Sequence, residues 1–179
     1  MHGGCASAAV DSSLFEALFR VAAPEGVLAE RLMTLGIEPS HLAQRYSGAQ
    51  WTQALDVYRA HLFPAVLAHE GNRKLGRALG EGYGSTLTGR LLLATFSMLS
   101  PLQLLRRWPR FIRMGRTDVV INVTETGDRS ASIASLDPAA VPMEINYGLL
   151  EFAFERMGER VTLVSENGSN GEMVVHCTW

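Results

Sequence analysis

Lysine, cysteine and long apolar runs are all scarce in this chain, and each shortage removes a class of protein. Fifteen of its sixteen basic residues are arginine, Lys74 being the exception, so the position of the cations carries more information than their type. The two cysteines, Cys5 and Cys177, sit at opposite ends of the sequence and cannot build a disulfide framework. A reducing, cytoplasmic setting is therefore expected. Cys177 alternates with Met173 and Val175, the pattern of a buried strand thiol. The longest apolar stretch, Leu91 to Phe96 with Met98 and Leu99 beyond it, falls far short of the ~20 residues that span a bilayer. The first ten residues hold neither Lys nor Arg and no long apolar run, so no secretory leader is expected. Without secretion, Asn122-Val-Thr and Asn167-Gly-Ser have no meaning as glycan acceptors.

Catalytic and metal signatures are missing too. The histidines are His2, His41, His61, His69 and His176; none pairs at i, i+4, and His69-Glu70 lacks the second histidine of a zinc helix. No Gly-x-Ser-x-Gly nucleophile turn occurs. The best pair of carboxylates, Glu151 and Glu155, is one helical turn apart and reads as a solvated face. The expectation is a protein without catalytic residues, metal or cofactor. Charged residues make up 19%, against an ordinary share of roughly 25%. Together with a mean hydropathy of +0.07, this surplus of apolar surface calls for a large core, a pocket or a subunit interface.

The pattern that is present changes near Gly115. Before it, apolar residues recur at helical spacing. Leu14, Phe15, Leu18 and Phe19 fit a helix or a short strand. Pro24 opens a helix through Val27, Leu28, Leu32 and Leu35 that Gly36 stops. Trp51, Ala54, Leu55 and Tyr58 mark a third, a fourth begins near Pro64, and Leu87, Leu91, Ala94 and Met98 mark another. Ser100-Pro101 starts the next, which Pro109 kinks or breaks. After Gly115 the period falls to two. Val119, Ile121 and Val123 alternate with Val120, Asn122 and Thr124, and Gly127-Asp128 turns the chain into a run through Ile133 to Leu136. A helix opened by Pro142 carries Ile145, Leu149, Phe152, Ala153 and Met157 and closes at Gly158. Val161–Ser165 and Met173–Thr178 are two more strands. The fold class is α+β: one domain over 1–179, a mainly helical half (1–115) followed by a ββαββ half (116–179) with an antiparallel sheet.

Charge is divided unevenly along this plan. Between Gly71 and Arg116 stand nine basic residues and one acid, Glu81; the rest of the chain holds seven basic and seventeen acidic residues. The cluster Arg106, Arg107, Arg110, Arg113 and Arg116 either pairs with the protein's own carboxylates or recruits an anion or an acidic partner. Only Trp108 and Phe111 interleave with it and no nucleic-acid motif accompanies it, so nucleic acid is not expected. Pro109 interrupts the run as a membrane-surface helix. Gly76, Gly80 and Gly84 lie on one helical face and predict close packing against another backbone, because no phosphate-loop or dinucleotide pattern surrounds them. Arg90, in Thr88-Gly89-Arg90, could aim a guanidinium at an anion.

Several segments in order resemble an uncharacterised domain family found mainly in myxobacteria. They are Leu14-Phe-Glu-Ala-Leu18-Phe19, Pro24-Glu25-Gly26, Tyr46 followed by Trp51, Leu75-Gly76-Arg77, Thr88-Gly89-Arg90, Pro109-Arg110 with Arg113, and Trp179. That resemblance brings no activity with it. The layout of helices before a ββαββ unit is similar, more distantly, to the superfamily of haem-nitric-oxide-binding sensors, vesicle-tethering subunits and the 4-vinyl-reductase domain. The resemblance implies a small molecule held between helices and sheet. The haem version asks for a histidine on a helix ahead of the sheet and a Tyr-x-Ser-x-Arg motif. No histidine occurs between Glu70 and Val175, and Met114-Gly115-Arg116 does not supply the motif. The expected function is a non-enzymatic regulatory or sensory module that binds a small molecule or anion, or a protein partner, with Arg90, Arg113 and Tyr83 as ligand contacts. A homodimeric assembly subunit is the alternative.

Overall fold

The computed structural model describes residues 8–96, 98–168 and 171–179. His2, Cys5 and the Ser169-Asn170 part of the last turn lie outside the described residues. The chain opens with β1 (Ala8–Asp11) and α1 (Ser12–Val21), so the Leu14–Phe19 segment is a helix with a strand just before it. Asp11 starts α1 by accepting the Ser13 backbone N–H at 3.0 Å. α2 (Gly26–Thr34) begins two residues past Pro24, and Gly36 ends it at φ +73°. β2 (Arg45–Ser47) pairs antiparallel with β1. This small sheet is not foreseen by the sequence. Ser47 and Gln50 cap α3 (Gly48–Leu62) reciprocally. α4 (Ala68–Ser85) starts four residues beyond Pro64 rather than at it, and α5 (Leu87–Phe96) follows. α6 (Pro101–Gly115) has a second reciprocal cap, Ser100 with Gln103, and Pro101 in its first turn. Pro109 does not break it; the helix runs on for six more residues.

The second half is the expected ββαββ unit: β3 (Val120–Gly127), β4 (Ser130–Leu136), α7 (Met143–Glu155), β5 (Thr162–Asn167) and β6 (Met173–Thr178). Its four strands are antiparallel in the order β3-β4-β6-β5. The fold class is therefore α+β as the periodicity implies. Alternation sorts the faces: Ile121, Ala131, Ile133, Val175 and Cys177 are buried, whereas Val120, Ser132 and His176 look the other way. Burial pushes the Cys177 thiol up to about 12, in keeping with an inert core residue.

Two apolar clusters form. One joins α1, α2, α3 and α4 around Phe15, Leu18, Trp51 and Tyr58. The other joins α6, α7 and the sheet around Leu105, Phe154, Ile133 and Val175. Leu149 packs against both. α4 and α7 hold the halves together at backbone contact. A Cβ added to Gly76 would stand 2.1 Å from the Ile145 carbonyl oxygen, and one added to Gly148 would stand 2.1 Å from that of Arg73. The glycine face predicted from sequence is thus a packing face. Arg73 and Arg77 on α4 bind Glu151 and Glu155 on α7, the latter at 2.6 Å, so this carboxylate pair is tied across the helices rather than free in solvent.

Candidate ligand cavity

Because the glycine contact clamps α4 to α7 along one line, the space beside that line stays open. A cavity of about 480 Å³ lies between the helices and the sheet. Its floor is the inner sheet face, with Val119, Ile121, Ile133 and Val175. Trp108, Phe111 and Ile112 of α6 and Phe96 of α5 wall one side, and Leu149, Phe152 and Ala153 of α7 the other. These are core residues by type and period, so the sequence identifies them as apolar without showing that they fail to meet.

Polar groups are few and gather where the two halves join. Arg116, the C-cap residue of α6, is only 5% exposed and lines the cavity with Asp137. Its guanidinium reaches Asp118 (2.8 and 3.0 Å) and Asp137 (2.6 and 3.3 Å). Burial alone would lower the pKa of Arg116, but the hydrogen bonds it donates to the two carboxylates raise it above the usual arginine value. Burial likewise pushes Asp118 up, and the Arg116 guanidinium overcomes this and holds the carboxyl below its usual range. Val10 of β1 bridges to Arg116, which brings Asp11 and the Ser13 start of α1 to the same end. Tyr83 of α4 reaches it as well. Burial raises its phenol and the Asp11 carboxylate raises it further, so the hydroxyl stays neutral. That hydroxyl makes no hydrogen bond among the described residues.

The predicted site residues are therefore divided. Tyr83 lines the cavity, whereas Arg90 and Arg113 are exposed and do not. Of the basic cluster, Arg116 is buried and Arg106 pairs with Glu125 at 2.7 Å. Arg107, Arg110 and Arg113, like Arg90, are exposed and form no ion pair among the described residues. Asp118 and Asp137 were missed; the Arg116-x-Asp118 spacing was a signal for the first, and nothing local pointed to the second.

Elsewhere, Ser132, His176 and Glu166 align across three strands, with the serine hydroxyl 3.0 Å from Nδ1 and the carboxylate 3.1 Å from Nε2. This trio sits on the outer sheet face, away from the cavity lining, and reads as a cross-strand polar ladder. No cluster of three metal-ligating side chains occurs among the described residues. Among them, too, no helix is long and apolar enough to cross a membrane.

A family model described as protein of unknown function (DUF2378) matches residues 7–179. Among solved structures, one from work on haem distortion in the H-NOX family superposes with a TM-score of 0.70 at 13% identity, covering 94% of each chain. An oxygen-binding H-NOX domain related to soluble guanylate cyclases gives 0.68 at 12% identity, over 93% of this chain and 91% of that one. The Fe(II) unliganded H-NOX protein from K. algicida gives 0.64 at 15% identity, over 93% and 94%. At such identities the likeness is one of fold. No curated protein matches the chain.

Proposed function

The chain belongs to this protein family of unknown function, and we propose that it is a non-enzymatic sensory or regulatory module that binds a small apolar molecule between its helices and its sheet. The cavity carries the reading. About 480 Å³ of mostly apolar wall is left unfilled by the protein's own side chains. An apolar molecule of matching size would exclude water from that wall and gain the hydrophobic free energy of doing so. The H-NOX structures support a small-molecule role, since they share this fold and their descriptions name haem and oxygen.

Haem does not fit. An iron porphyrin takes an axial imidazole, thiolate, phenolate or, beside a histidine, thioether; no histidine or cysteine lines this cavity, its methionines lack that histidine, and burial with the Asp11 carboxylate keeps the Tyr83 phenol protonated. His176 points from the opposite sheet face, and Cys177 is a core thiol held protonated. The one guanidinium at the cavity wall is already committed to two aspartates. The reading therefore keeps small-molecule binding and changes the occupant. Apolar walls exclude water, and Tyr83 and the Arg116 end orient whatever polar group the occupant carries. A cytoplasmic location and the absence of a nucleic-acid partner belong to this reading.

Native mass spectrometry of freshly purified protein tests it, with a retained mass expected above the bare chain. Ala153→Phe should fill the space, remove the adduct and raise the melting temperature of the ligand-free protein. A bare wild-type mass together with an Ala153→Phe variant that melts lower would refute the reading. The alternative, a homo-oligomeric subunit without ligand, draws on Leu87, Leu91 and Met98, which are 69%, 67% and 81% exposed. Light scattering that finds a monomer at high concentration eliminates it.

A further inference from the structure

The sequence around the cavity is the most basic in the chain, yet no free cation reaches the cavity wall: its charged residues are Arg116 and Asp137. The polar end gathers one guanidinium, Arg116, and three carboxylates: Asp118 and Asp137 bonded to it, and Asp11 beside its bridge partner Val10. Arg116 and Asp137 cancel within the wall, and Asp118 and Asp11 behind it leave the surroundings two charges negative in a half-buried setting, where screening is weak. The carbonyl end of α6 at Arg116 and the N–H ends of α1 at Ser13 and α7 at Met143 all reach the lining, so the helix dipoles do not add to the negative charge. The exposed cations Arg107, Arg110 and Arg113 are on the solvent side of the same helix and leave the interior uncompensated. The arginine that could have met an anion is already satisfied. Four of its five N–H groups are engaged by Asp118 and Asp137.

We infer that the cavity selects against anions: its ligand is an apolar body of modest size with an uncharged or cationic polar end, oriented by Tyr83 and the Arg116–Asp137 pair. This rests on the reading of the cavity as a ligand site and specifies the chemistry of the occupant. Size is bounded by the volume: at about 30 Å³ for each water-sized group, 480 Å³ holds on the order of sixteen such groups. A twelve-carbon chain with a small head meets that limit. A carboxylate head would lie against Asp137 with no free guanidinium to receive it. Like-charge contact in such a place costs several kcal/mol, which exceeds a tenfold loss in affinity.

The test uses three probes that differ only at the head: dodecanol, dodecylammonium and dodecanoate, each below its micelle concentration. Binding to the delipidated full chain is followed by calorimetry and by the rise in melting temperature. The alcohol and the ammonium are expected to bind, and the carboxylate at least about tenfold more weakly. Asp137→Asn, which keeps the oxygen that accepts the Ala139 N–H at 2.8 Å, should release Arg116 and bring the carboxylate close to the alcohol. Asp118→Asn does the same from outside the cavity wall and serves if the first variant does not fold. Equal binding of dodecanoate and dodecanol by the wild type would overturn the charge selection while leaving the ligand site standing. An unchanged gap in both Asn variants would overturn the role of this cluster. If none of the three probes binds, the ligand site itself fails and this inference fails with it.

Discussion

Replacing Gly148 by alanine adds one methyl group where α7 already touches the backbone of α4. The new Cβ would stand 2.1 Å from the Arg73 carbonyl oxygen, 2.6 Å from the Arg77 nitrogen and 3.0 Å from the Gly76 carbonyl carbon. All three are main-chain atoms in a helix, so none can swing aside as a side chain would. Relief to the ordinary contact distance of about 3.5 Å requires α7 to move off α4 by roughly an ångström. That movement also strains the Arg73–Glu151 and Arg77–Glu155 pairs that span the same helices. Overpacking of this kind costs about 1–3 kcal/mol, and immovable neighbours place it at the upper end. Alanine returns about 1 kcal/mol through its better helix propensity. The net loss is about 2 kcal/mol, or a fall of about 4–8 °C in melting temperature for a chain of this size. Thermal unfolding followed by far-ultraviolet circular dichroism measures it. Gly127→Ala is the comparison, because there a new Cβ meets only the mobile Ser130 hydroxyl, and the fall should be less than half as large. A Gly148→Ala protein that melts at or above the wild type would refute the backbone contact between the halves.

Acid should act through the Arg116 cluster. Asp118 has a folded pKa below its unfolded value, so the stability it contributes is complete above about pH 4 and is lost as pH falls through the folded value. Arg116→Met strands two half-buried carboxylates at a cost of about 3–5 kcal/mol near neutrality. The variant's melting temperature should then rise between about pH 6 and about pH 4, where the wild type's stays level, because its carboxyls now take up protons on folding. A Tm–pH series on both proteins checks the sign. In a Cys5→Ser background the remaining thiol, Cys177, should resist aromatic disulfide reagents at about pH 8, where about one molecule in ten thousand would be thiolate, and react at once in denaturant. Rapid labelling of the native protein would contradict its place in the sheet core.

How much of this could be read from residues depended on how local the cause was. The switch from helical period to alternation at Gly115 depends on which face of each element is buried, and it located the ββαββ half correctly. Gly76 and Gly80 announced a close approach because only a missing side chain permits one. β1 and β2 left no trace, since four and three residues are too short to show alternation. Of the kink or break expected at Pro109, the break does not occur: α6 runs on through the residue, with Trp108 beside it buried in the second core. Arg116 was indistinguishable from its neighbours in the basic cluster; its burial is set by Asp137, 21 residues on, and by Val10, far earlier in the chain. The cavity was the least legible feature of all. Its walls come from nine elements with ordinary core composition, and emptiness between them has no residue of its own.

The α4–α7 contact has a consequence for how the chain is made. Arg73 and Glu151 are 78 residues apart, so α4 leaves the ribosome well before the helix that covers it. At about 5–20 residues per second this interval is roughly 4–16 s. For that time the glycine face of α4 and the half-built cavity wall stand open to water. The segment that ends the wait also carries, at Ile145 through Leu150, part of the lining of the cavity. If the cavity is the ligand site proposed above, a small apolar molecule present during synthesis would meet it while it closes, and would be enclosed at birth rather than admitted afterwards.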